Sequence, residues 1–76
     1  MDCIWNIYEP FESSNYNIED PFDVFLFSLR KKEIPQRNSF LYVEGKQKRI
    51  IAVKMDAALN EVCGFDEVSY YKVCVI

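Results

Sequence analysis

Two β-rich runs, Phe40 to Glu44 and Arg49 to Met55, stand on either side of Gly45-Lys46-Gln47-Lys48. Alternation of inward and outward positions is the mark of a strand, and a glycine between two such runs marks a reversal. The middle of the chain is therefore expected to form a β-hairpin. Everything else in the 76 residues must be built around it.

The flanking segments supply further elements. Cys3 to Glu9 reads as a strand, with Cys3, Trp5 and Ile7 on one face and Ile4, Asn6 and Tyr8 on the other. Pro10 to Glu19 is rich in Ser and Asn, which favour turns because their short side chains compete for backbone hydrogen bonds. Phe11, Tyr16 and Ile18 give that stretch apolar footholds, so it reads as an ordered surface loop. Next, Asp20 is placed to cap a helix, Pro21 suits its first position and Asp23 suits the positive end of its dipole. Phe22, Phe25, Leu26 and Leu29 then recur at helical spacing, Arg30 to Lys32 would close the last turn, and Pro35 would stop it. After the hairpin, Asp56 is placed to cap a short helix with Leu59, Val62 and Cys63 inward. Gly64 would stop it, with Phe65 folding back on Leu59. Val68 to Ile76 completes the pattern as a strand.

The order β-α-β-β-α-β in one domain, residues 1–76, predicts an α+β ferredoxin-like plait. That fold is a four-stranded antiparallel sheet with two helices on one face. In it Cys3 and Cys74 would face each other across the first and last strands. Were Val24 to Leu29 a strand instead, the chain would be mostly β with one helix.

A chain this short buries only ~60% of its unfolded surface, so it needs a dense core. Half its residues are hydrophobic and 16% are aromatic, enough to exclude disorder. No apolar run approaches the ~20 residues of a membrane-spanning helix. Three cysteines without a CxxC pair predict buried thiols in a cytoplasmic protein rather than a disulfide framework.

Catalysis is not expected. There is no histidine, no phosphate-cradling glycine loop and no paired-carboxylate motif. Asp66-Glu67 and Glu19-Asp20 read as turn and cap residues. No metal site and no cofactor are expected, since three scattered cysteines offer too few ligands for a zinc site.

Charge, by contrast, is sorted along the chain. Residues 1–29 carry six acids and no base, residues 30–54 carry eight bases and two acids, and residues 55–76 carry four acids and one base. The sorting points to complementary surfaces, within the fold or towards a partner. The expected function is that of a small cytosolic interaction protein which inhibits or regulates a larger macromolecule, as stand-alone inhibitors of phages and mobile elements do. A protein partner is expected, a second copy among the options. Its interface would use Trp5, Tyr8, Val24, Phe27 and Tyr70, with Arg30, Lys31, Lys46, Lys48 and Arg49 as charged contacts.

The alternative is a nucleic-acid or ribonucleoprotein module using the basic middle segment. Ile4-Trp5-Asn6-Ile7 faintly resembles the first motif of RNA-recognition plaits. The second motif needs a basic-glycine-aromatic strand, and Lys48 to Lys54 has no aromatic residue.

Overall fold

The computed structural model describes residues 2–63 and 68–76. Its elements run β1 (Cys3–Glu9), β2 (Val24–Lys31), β3 (Phe40–Val43), β4 (Lys46–Met55), α1 (Ala57–Cys63) and β5 (Ser69–Val75). The strands form one sheet in the order β2-β1-β5-β4-β3, curled into a half-barrel. β1 lies antiparallel to β2 and parallel to β5, while β4 lies antiparallel to both β5 and β3. This overturns the ferredoxin-like plait: the chain is mostly β, with one short helix.

The expected first helix is β2. Its cap signals belong to a turn instead. The Asp20 N–H donates to the Asn17 carbonyl at 3.1 Å and the Asp23 N–H to the Pro21 carbonyl at 3.0 Å, a tightening common where strands begin. Tertiary pairing then decides for strand. Trp5 stands opposite Leu29 and Ile7 opposite Phe27, so one pairing satisfies the backbone and joins both apolar sets to the core. The helix-like spacing arises from a bulge. Pairing steps from Ile7↔Phe27 to Tyr8↔Phe25, leaving Leu26 without an opposite residue. The extra residue lets Leu26 and Phe27 both pack on the core, which a regular strand would forbid.

The inner face of the half-barrel is the core: Cys3, Trp5, Ile7, Leu41, Val43, Ile50, Tyr71, Val73 and Val75. Each large apolar side chain buried there contributes roughly 1.5–3 kcal/mol. The loop between β1 and β2 covers the outer face at β5: its Pro21 and the Cys74 beneath it are both fully buried, and the Cys74 thiol donates to the Pro21 carbonyl at 3.3 Å.

Parallel pairing of β1 with β5 also separates two cysteines expected to be neighbours. Cys3 stands opposite Ser69 and Cys74 opposite Tyr8. Five residue steps of ~3.3 Å therefore put them about 16 Å apart along the sheet.

β2 and β3 are the two edge strands, so residues 32–39 must cross the mouth of the half-barrel. The crossing is tied at both ends. The Trp5 indole N–H donates to the Glu33 carbonyl at 3.0 Å. The Asn38 N–H donates to the Ile50 carbonyl, and the Ile50 N–H to the Ser39 carbonyl, both at 2.8 Å.

The hairpin is present, with a tighter turn than Gly45 to Lys48. Val43 pairs with Lys46, and Glu44 (φ 52°) and Gly45 (φ 78°) form a two-residue turn with both central residues left-handed. At the other end of β4, Asp56 Oδ1 accepts from the Leu59 N–H at 3.2 Å, the expected cap of α1. The expected Gly64 stop, Phe65 and the Asp66-Glu67 pair lie outside the described residues, as do the side chains of Val62 and Cys63.

Candidate functional site

Strand alternation, applied to β3, sorts four residues into two pairs. Leu41 and Val43 enter the core, and Phe40 and Tyr42 point out, 60% and 70% exposed. Opposite them on β4 stand Arg49 (to Phe40) and Gln47 (to Tyr42), both exposed. The outer face of the hairpin thus carries two aromatic rings, a guanidinium and an amide side by side. Arg49 is also fixed in position, because its N–H and C=O both bond to Ile76 of the C-terminal segment, at 3.0 and 3.1 Å.

The same alternation divides the basic turn. Lys46 and Lys48 pair with the core residues Val43 and Leu41, so they lie on the inner face. There they rim a cleft of about 290 Å³ with Glu9 and Glu44 as acidic counterparts over Leu26 and Phe27. Lys46 and Lys48 therefore act apart from Arg49. Arg30 and Lys31 lie at the far end of β2, opposite the start of β1. Arg30 is ion-paired to Asp2 at 2.8 Å, and its guanidinium hydrogen bond holds the Asp2 carboxyl below the ordinary carboxylate value. Lys31 lies 4.9 Å above the Trp5 ring and 3.5 Å from Glu33.

The five apolar residues expected at an interface are mostly engaged within the fold. Trp5 is 5% exposed and forms the floor of the mouth. Phe27 is half-buried against the core. Tyr8 is half-buried, edge-on to Phe22 at 5.8 Å and Phe25 at 5.5 Å. Tyr70 is half-buried, and its backbone is clamped by the Asn60 amide at 2.7 and 3.2 Å. Val24 is half-buried at the start of β2. The exposed large apolar residues among those described are others: Phe11, Tyr42 and Phe40 above all, then Ile34, Met55, Phe25 and Ile18. The hairpin held half of the signal for Phe40 and Tyr42: four consecutive apolar residues in a strand cannot all face one core, but alternation does not say which pair faces out.

A cleft of about 720 Å³ lies between the crossing segment and β3. Trp5 forms its floor, Ile34 and Phe40 its walls, and Lys31 and Lys32 its rim. Among the described residues no helix is long and apolar enough to cross a membrane. The comparisons with known proteins find no matching family model, no similar curated protein and no similar solved structure.

Proposed function

We propose that this chain is a non-catalytic protein-binding module of the cytosol that inhibits or regulates a larger partner, and that it engages that partner with the outer face of the β3–β4 hairpin. The observation that carries the reading is the pair Phe40 and Tyr42, largely exposed beside Arg49. Aromatic residues and arginine dominate binding hot spots because they bring large contact area with few rotors and a polar tip. The rings stand on β3, paired along its length with β4, and Arg49 on β4, itself paired with β5, so little backbone ordering entropy opposes binding.

The test is capture from the native cell by the tagged full chain, with mass-spectrometric identification, followed by titration of the purified partner. Tyr42→Ser with Phe40→Ser should weaken that titration by about a hundredfold or more, on a hot-spot scale of ≥ 2 kcal/mol for such residues. Unchanged affinity in a folded double variant would refute the assignment.

A second reading rests on the same face. Two exposed aromatics flanked by arginine can also stack bases of a single strand. Titration with homopolymer oligonucleotides decides it. Base stacking would give measurable affinity, lost with the aromatics and falling steeply with salt.

A further inference from the structure

Phe11 is the most exposed large apolar residue described, at 79%. It is not on a loose arm. Pro10 before it is buried, and its own N–H donates to Asp23 Oδ2 at 3.2 Å. The ring therefore projects as a knob from a tethered backbone, bordered by Glu9, Lys48 and Ile76, with Asp23 hydrogen-bonded to its N–H and Glu12 next in sequence. The large cleft is its chemical complement. Trp5, Ile34 and Phe40 offer apolar contact, and Lys31 and Lys32 border the cleft together with one acid, Glu33. Lys31 is shared with Glu33, while Lys32 makes no ion pair among the described residues.

Knob and cleft stand at opposite ends of the molecule. Phe11 lies just past Glu9, where β1 ends, whereas the rim residue Lys31 pairs with Cys3, where β1 begins. Six residue steps of ~3.3 Å separate these ends by about 20 Å, so no chain can fill its own cleft. A second copy can. We infer that Phe11 of one copy seats in the Trp5–Ile34–Phe40 cleft of the next, with Glu12 against Lys31 and Lys32, so that the chain assembles head to tail. The occupant is a second copy because the complementary knob, an aromatic ring beside Glu9, Glu12 and Asp23 with Lys48 as the one base at its border, is part of this chain's own surface. The sorting of charge in the sequence then has a use: the acidic first block meets the basic second block of a neighbour. Such a contact is heterologous, and each addition leaves one knob and one cleft free. The inference does not rest on the reading of the hairpin face, although Phe40 borders both.

The experiment is sedimentation of the full chain from micromolar to millimolar concentration, at low and high salt. Head-to-tail assembly predicts an average mass that climbs past the dimer and falls back with salt. Phe11→Ser should weaken association about tenfold or more, as loss of an apolar anchor does. Lys32→Glu with Ile34→Ser should do the same. Both variants alter exposed positions, and circular dichroism checks that they fold. The decisive arm mixes the two variants, since one retains the cleft and the other the knob: the mixture should form a dimer and stop there. Trp5 fluorescence should report cleft filling in that mixture. Tyr42→Ser should leave assembly unchanged, which separates this inference from the hairpin reading. A wild-type monomer throughout, a plateau at dimer, or wild-type assembly by Phe11→Ser would each overturn it. So would binding of an acidic phenylalanine peptide in the cleft without self-association.

Discussion

The Trp5 indole donates to the Glu33 carbonyl at 3.0 Å, and this one bond ties the segment crossing the mouth to the floor of the core. Trp5 thus has two roles, as a packed apolar body and as a polar anchor. Trp5→Phe keeps most of the body and removes the donor, leaving the Glu33 carbonyl to find water. The expected loss is ~0.5–1.5 kcal/mol by urea unfolding. Trp5→Ala should cost ~3–5 kcal/mol, the range for emptying an aromatic site. Equal losses in the two variants would mean the hydrogen bond carries the effect rather than the packing.

Burial pushes the Cys74 thiol up to about 12, with the carboxylates of Asp23 and Glu9 adding to the rise. A thiolate is the reactive form, so Cys74 should resist alkylation in the native protein until it unfolds. The linkage follows from the sign. The folded value lies above the ordinary 9.0, so the contribution to stability is complete below pH 9 and is lost as pH rises from 9 towards 12. Cys74→Ala should lose part of that alkaline decline. Because Cys3 and Cys74 lie about 16 Å apart along paired strands, mild oxidation should give no bridge between them within a monomer. A native Cys3–Cys74 disulfide found by peptide mapping would contradict the parallel pairing of β1 and β5.

The turn at Glu44-Gly45 makes a third expectation. Nothing lies near the position a Gly45 Cβ would occupy, so the cost of Gly45→Ala is backbone strain alone, at φ 78°. That cost should be ~1 kcal/mol. Glu44→Asn should gain a few tenths to ~1 kcal/mol, because Asn tolerates the left-handed conformation that Glu44 holds at φ 52°. Thermal melts of the two variants should move in opposite directions. A shift in the same direction would place the turn elsewhere.

The hairpin, β1, β5 and the Asp56 cap were legible in the sequence because their signals are local. Alternation put Cys3, Trp5 and Ile7 on one face of β1 but did not say which face is buried; Trp5 was expected at an interface, and the structure buries all three. β2 was not legible, because two local codes collide there. Asp20, Pro21 and Asp23 serve a turn as well as they serve a helix start, and the bulge at Leu26 gives a strand the spacing of a helical face. Only the partner strand β1, across a 14-residue loop, decides between them. The pairing of β1 with β5 is longer in range still. The outward residues Phe40 and Tyr42 were hidden for a different reason. Which parity of a wholly apolar strand faces out depends on what covers the other side.

The separation of Lys46 and Lys48 from Arg49 gives the last expectation. All three were expected to act as one charged contact, yet the first two face a cleft that holds Glu9 and Glu44, while Arg49 faces outward beside Phe40. Lys46→Glu with Lys48→Glu would place four carboxylates around that cleft. Stability should fall by ~1 kcal/mol or somewhat more at low salt, and added salt should relieve it, because exposed charges are screened. Arg49→Glu should leave stability within ~0.5 kcal/mol, as exposed substitutions usually do. On the proposed function it should instead slow association with the partner, an effect that salt reproduces in the wild type. The check is urea unfolding of both variants at two salt concentrations, alongside association rates. If Arg49→Glu destabilises as much as the double variant and leaves association unchanged, the hairpin's outer face is not the binding surface.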